Sequence, residues 1–165
     1  MDIELKKASG MALGYLSRRP RSIMEMKGYL SKKKFPSLVI EGVVQRLCSE
    51  NYLNDKIFAE NYLEHRKRNK PKSVFALRFE LKNKGIHPAI IDQLLNNYDD
   101  LELAFLALKP KTRLWQHIDQ EPLKKKVFGY LRYRGFSFPV IQSAWEQIFD
   151  SPSGRTCQST DRQIK

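Results

Sequence analysis

The chain repeats itself at an interval of about 50 residues, and a repeat of that length decides what it can fold into before any other feature is weighed. Pro20-Arg21-Ser22 returns as Pro71-Lys72-Ser73. The same offset carries Met26 to Leu77, Leu30 to Leu81, Phe35 to Ile86, Ile40 to Ile91 and Val44 to Leu95. A third copy follows, in which Val127, Leu131, Gly135-Phe136 and Ile141 answer Leu77, Leu81, Gly85-Ile86 and Ile91. Apolar residues recur at three and four positions throughout, the period of an amphipathic helix, and no stretch alternates as a strand does. Leu5, Ala8, Ala12, Tyr15 and Leu16 make one such face, and Ile40, Val43, Val44 and Leu47 another. Pro20, Pro36, Pro71, Gly85 and Pro88 stand between the faces, where helices start and stop. The expectation is an all-α protein of about nine helices, in three-helix repeats over residues 1–50, 51–99 and 100–150 that stack on one another. Residues 151–165 carry no apolar face and are expected to be a disordered tail.

The repeat also predicts its own turns. Ser22 and Ser73 precede helices and can cap the free amides of the first turn. Gly85 and Gly135 follow runs with basic residues and suit the left-handed conformation at a helix C-terminus. Lys34 holds that position in the first copy, so the turn there is expected to be built differently. Between Leu108 and Glu121 the third copy departs from the others, and Lys109-Pro110-Lys111 with Trp115 reads as an insertion holding at most a short helical turn.

Catalytic and cofactor chemistry is hard to place on this sequence. Eight glycines make no phosphate-binding loop. His65, His87 and His117 lie in three different segments without a second His or Cys at ligand spacing, so they read as surface or capping residues. Cys48 sits in an apolar helical pattern as a packed thiol, and Cys157 falls in the tail. Two distant cysteines predict a reducing compartment and no disulfide framework. Glu60 and Glu64 could form an acid–base pair, but at helical spacing on a basic helix they rather support Lys67 and Arg68. The chain therefore reads as a non-enzyme with no metal or cofactor. Its longest apolar runs fall far short of the ~20 residues of a membrane span. No signal peptide is expected from its first residues, and a cytoplasmic monomer is expected.

The charge is the positive clue. Lys and Arg number 30 against 18 Asp and Glu, a net charge of +12, and the excess is spread over every part of the chain rather than held in one tail. Such a field suits a long contact with a polyanion or acidic surface. The cations gather at helix ends: Arg18-Arg19-Pro-Arg21, Lys32-Lys33-Lys34, the run Arg66-Lys67-Arg68-Asn69-Lys70-Pro-Lys72, Lys124-Lys125-Lys126, and Arg132-Tyr133-Arg134. They recur in register, Lys33 mapping to Lys84 and then Arg134. Helix dipoles account for one or two cations per helix end, not for five in the seven positions 66–72. Partner binding is therefore expected first of Arg66, Lys67, Arg68, Lys70 and Lys72, then of Lys32, Lys33, Lys34, Arg132, Tyr133 and Arg134. Tyr133 is expected to be an exposed ring able to stack on a base. Phe75 and Phe79 are expected to be covered between packed units.

The run Asn51-Tyr-Leu-Asn-Asp-Lys-Ile-Phe-Ala-Glu-Asn-Tyr62, followed by Lys70-Pro-Lys-Ser and Leu81-Lys-Asn-Lys-Gly-Ile86, resembles the central signature of the RecX family of recombination regulators. Leu131-Arg-Tyr-Arg-Gly-Phe136 is similar to the turn that closes that family's third unit. Asn51 stands where the family has Gly, and Asn54 where it has the first Asp of a pair. The resemblance spans about residues 8 to 150. It implies tandem three-helix repeats in a curved body that binds the RecA filament on single-stranded DNA. It also implies restraint of RecA's recombinase, ATPase and coprotease activities in DNA repair and the SOS response. The other reading of the residues is a general nucleic-acid-binding helical module.

Overall fold

The structure, a computed structural model, describes residues 2–150; the tail expected at 151–165 lies outside them. Among the described residues there are nine α-helices and no strand: α1 (Asp2–Leu16), α2 (Ile23–Lys32), α3 (Ser37–Ser49), α4 (Asp55–Asn69), α5 (Val74–Asn83), α6 (Pro88–Leu95), α7 (Asp100–Leu114), α8 (Gln120–Tyr133) and α9 (Phe138–Ile148). They belong to two compact units. One comprises the residues up to Asn69 together with Ala76–Asn97, and the other Lys70–Phe75 together with the residues from Tyr98 onward.

In the first unit α1, α2 and α3 pack on one another around Ala8, Ala12, Met26, Leu30, Val43 and Leu47. Each of these is buried because the helical period brings it back to the same side. α4 and α6 pack together in the same unit, with Phe58, Ala59, Leu63, Ile91 and Leu95 buried. In the second unit α7, α8 and α9 close on one another, with Leu103, Ala107, Val127, Leu131, Ile141 and Trp145 buried.

The start of α2 is capped from two directions. Ser22 and Glu25 form a reciprocal box, Ser22 Oγ accepting from the Glu25 N–H and Glu25 accepting from the Ser22 N–H. The next amide, Ile23 N–H, donates 2.8 Å to the Asp55 carboxylate at the start of α4. The arrangement recurs where Val74 N–H donates 2.7 Å to Asp100 at the start of α7. The residue before each aspartate caps its own helix: Asn54 accepts from Lys56 and Ile57 N–H, and Asp99 from Glu102 N–H. Asn54 in place of an aspartate preserves the cap, since the two residues serve it equally well.

Three expectations are corrected. The turn at Lys34 is built like its counterparts: Lys34 has φ 63°, beside 76° at Gly85 and 86° at Gly135. The same two bonds close all three, from residue 34, 85 or 135 to the carbonyl of Ser31, Lys82 or Arg132, and from the next residue to Leu30, Leu81 or Leu131. What differs is the neighbourhood. A Cβ on Gly85 would lie 2.5 Å from the Met24 Cβ, so only glycine fits there. Secondly, α7 runs unbroken through Pro110 to Leu114. Its apolar face continues to Trp115, which is buried edge-on to Tyr130 at 5.4 Å, while the Tyr130 hydroxyl donates to the Ala107 carbonyl. Thirdly, Phe75 and Phe79 are 74% and 60% exposed. They lie two residues off the buried stripe of Leu77 and Leu81, which turns them to the opposite side of α5.

Relieving a left-handed lysine should stabilise the chain. Lys34→Gly is expected to raise unfolding stability by about 1 kcal/mol. Gly85→Ala should lower it by about 1–3 kcal/mol, through both its φ and Met24. Gly129 in α8, whose added Cβ meets nothing within 4 Å, should gain about 0.5–1 kcal/mol as Gly129→Ala. Urea unfolding of the three variants checks the signs.

Candidate partner-binding surface

The basic residues expected to bind a partner divide by what their side chains already hold. Arg66, in the last turn of α4, reaches across to α5. Its Nε and Nη2 donate to the two oxygens of Glu80 at 2.9 and 3.0 Å, and both also donate to the Tyr62 hydroxyl. Tyr62 in turn donates 2.8 Å to Glu80. A forked guanidinium on a carboxylate is the strongest ion-pair geometry available to a side chain. Here it is half-buried and serves the joint between α4 and α5. Burial, joined by the bond to Glu80, pushes the Tyr62 phenol above its ordinary range. Arg134 is held in a comparable way in the second unit. Its Nη1 donates 2.8 Å to the Pro71 carbonyl, its guanidinium lies 4.5 Å from the Tyr130 ring, and its own carbonyl accepts from Ser73 N–H. The fold thus brings Arg134 against the 71–73 segment that holds Lys72.

The remaining cations are presented outward. Lys32, Lys33 and Lys34 are exposed at the α2–α3 turn and make no ion pair among the described residues, Lys33 only leaning over the Tyr29 ring at 5.8 Å. Arg68 is exposed and loosely paired with Glu64 at 3.8 Å, a contact worth a few tenths of a kcal/mol. Lys70 and Arg132 are exposed without an ion pair among the described residues. Tyr133, next to Arg132, is 90% exposed, as expected of it. Lys67 and Lys72 are half-buried.

Sequence reasoning passed over Lys84 and Glu25. Lys84 Nζ donates 2.9 Å to Glu25 Oε1, with both side chains largely buried, and lies over the Phe58 and Tyr62 rings. The signal existed, since Lys84 stands in register with Lys33 and Arg134. Burial alone would raise the Glu25 carboxyl. The bonds from Lys84 and the Ser22 N–H, with the nearby charges of Lys84 and Arg19, outweigh that and hold it below its ordinary value. Asp55 goes the other way, burial raising it although Ile23 N–H donates to it. His87 proves to be a cap, its Nδ1 accepting from Ala89 N–H at the start of α6. Cys48 is free and half-buried, and burial pushes its thiol up, away from the reactive thiolate. Among the described residues no group of His, Cys, Asp and Glu could hold a metal ion, and no helix is long and apolar enough to cross a membrane.

Two outcomes follow from these contacts. Arg66→Ala strips a half-buried carboxylate of its partner and should cost about 1–3 kcal/mol in urea unfolding, whereas Arg68→Ala should cost under about 0.5 kcal/mol. Because the Glu25 carboxyl is depressed in the fold, it contributes stability above its ordinary value of 4.5 and loses it as pH falls through the lower folded value. Glu25→Gln should therefore flatten the acid limb of a stability–pH curve, and Asp55→Asn, removing a raised group, should steepen it.

The residues of the Arg66–Glu80 and Lys84–Glu25 contacts fall within known patterns. Residues 8–47 match the RecX first three-helix domain, and residues 54–95 the RecX second three-helix domain. The regulatory protein RecX of Prosthecochloris aestuarii is 34% identical over 147 residues, covering 89% of this chain and 97% of that protein. That of Chlorobium phaeobacteroides is 33% identical over 150 residues, covering 91% and 99%. The regulatory protein RecX of Bacillus pumilus, 34% identical over 149 residues, is longer, and the match spans 57% of it. The crystal structure of RecX from Lactobacillus salivarius superposes with a TM-score of 0.72 over 89% of this chain and 97% of that one, at 22% identity, and shows the shared fold. The chain belongs to the RecX family of regulatory proteins.

Proposed function

We propose that the chain is a non-catalytic regulator that binds the RecA filament on single-stranded DNA and restrains its recombinase, ATPase and coprotease activities. It would work in the cytoplasm as a monomer, during DNA repair and the SOS response. Its three-helix groups, taken as repeats over 1–50, 51–99 and 100–150, would each contribute weak contacts that linkage turns into tight binding. The observation that carries this reading is that a member of a regulatory family keeps exposed cations at the ends of helices, with no carboxylate partners among the described residues. Lys32, Lys33, Lys34, Lys70 and Arg132 are such cations, with Arg68 loosely paired beside them. Arg66 and Arg134 support the reading less directly, by holding the segments that carry the others.

The exposed ring of Tyr133 next to Arg132 favours a second reading, in which single-stranded nucleic acid is itself the target. One experiment separates the two. RecA assembled on single-stranded DNA is mixed with the purified chain, and ATP hydrolysis and binding are followed with increasing salt. The regulator reading expects inhibition of hydrolysis and tight binding to filament, with little binding to DNA alone. Binding to bare DNA that weakens with a log–log salt slope of about −0.7 per phosphate contact, without effect on hydrolysis, would establish the second reading instead. Arg68→Glu combined with Lys70→Glu should relieve inhibition about tenfold or more while the thermal midpoint stays put, since neither side chain is held inside the fold.

A further inference from the structure

The turn with a basic residue, a left-handed residue and an apolar residue occurs three times. The apolar residue is buried at Ile86 and Phe136 and partly buried at Phe35, and two of the copies are seated inside the chain. At the second copy Lys84 pairs with Glu25 in the first turn of α2, and Gly85 lies against Met24 of the same turn. At the third, Arg134 donates to the Pro71 carbonyl and accepts from Ser73 N–H, just ahead of α5. The two seats share a place, the start of an α-helix behind a Pro-basic-Ser segment, while the cation meets the Glu25 carboxylate at α2 and the Pro71 backbone carbonyl at α5. The first copy, Lys33-Lys34-Phe35, closes with the same backbone bonds, yet Lys32, Lys33 and Lys34 are exposed and make no ion pair among the described residues. Beside them Leu38 is exposed in the first turn of α3.

We infer that this first turn docks on a partner protein, onto the start of an α-helix that carries a carboxylate in its first turn. The second copy, a lysine as in the first, sets that occupant through the Glu25 carboxylate, and the third repeats its place at a helix start. They also argue against a second copy of this chain. The start of α2 is already taken by Lys84, and an identical seat would bring Met24 against the Cβ of Lys34, where at Gly85 a Cβ would come within 2.5 Å. The start of α5 is taken by Arg134. α8 carries Glu121 in its first turn, but Glu121-Pro122-Leu123 stands where Pro-basic-Ser precedes α2 and α5, so its start lacks the approach and the serine that both seats share. Keeping a lysine at a left-handed position, where glycine would be relaxed, places a third cation on the turn that would meet this acidic helix start.

This inference rests on the proposed regulator reading, in that RecA within the filament is the protein expected to supply the helix. The test uses the full chain with RecA assembled on poly(dT). Lys33→Glu should weaken filament binding about tenfold, the size of one lost charge-assisted hydrogen bond, and Lys33→Arg should retain it. Lys34→Gly, which the turn geometry favours, should bind more weakly while unfolding later, which rules out a folding defect as the cause. With a benzophenone amino acid in place of Lys33, photocrosslinks should map to the first turn of a RecA helix bearing an Asp or Glu. Unchanged binding by Lys33→Glu, or crosslinks to the DNA, to a second copy or to another RecA surface, would overturn the inference while leaving the regulator reading intact. A wild-type chain that fails to bind the filament would overturn both.

Discussion

Short helices whose starts are covered by their neighbours face one constraint above others: the first amides of each helix have no partner within it and cannot be left dry. The start of α2 meets that constraint with three acceptors drawn from two places. Ser22 and Glu25 serve each other, and Asp55, 32 residues on, serves Ile23 N–H. Asp100 does the same for Val74, 26 residues back. A carboxylate at a helix N-terminus gains from both the hydrogen bond and the dipole. One side chain therefore caps a helix start that is remote from it in the sequence. Asn54-Asp55 and Asp99-Asp100 are pairs for this reason, one residue capping its own helix and the other reaching to the preceding group.

The cations complete the same joints. Once Glu25 is half-buried its charge needs a partner, and Lys84 arrives on the turn after α5 to provide it. Glu80 is matched by the fork of Arg66. Net charge is therefore a poor map of where a partner binds. The side chains in register at 33, 84 and 134 have the same place in the repeat, yet two of them hold the fold together and one faces water. The difference lies in whether a helix start within the same unit meets the turn, as α2 meets Lys84 and the 71–73 segment ahead of α5 meets Arg134.

Those facts explain what could be read from the residues alone. Helical period, the spacing of about 50 and the left-handed glycines are local signals, and they carried the helices, the packing faces and the turns at Gly85 and Gly135. Tyr133 was legible as an exposed ring because it sits off the apolar stripe. Arg66 was not legible as a structural residue. The run 66–72 is uniformly basic, and the acid that claims Arg66 is 14 residues away on the next helix. Phe75 and Phe79 misled for a related reason. Aromatic character suggested burial, but their phase relative to Leu77 and Leu81 sets them outside. Pro110 misled because a proline in sequence looks like a break, whereas the face that runs on to Trp115 keeps the helix whole.

Lys34 shows how the two kinds of signal interact. Local propensity argues for glycine wherever φ is positive, and at Gly85 a second, tertiary reason enforces it, because Met24 fills the space a Cβ would need. At Lys34 the backbone is the same, so the local cost is present in full, and its side chain is exposed. A residue that is locally unfavourable and makes no ion pair among the described residues contributes nothing to their packing that glycine would not improve. The position is therefore set by something other than stability. In a chain whose two other equivalent turns each meet a helix start, the inferred account is that this turn meets one too, on another protein.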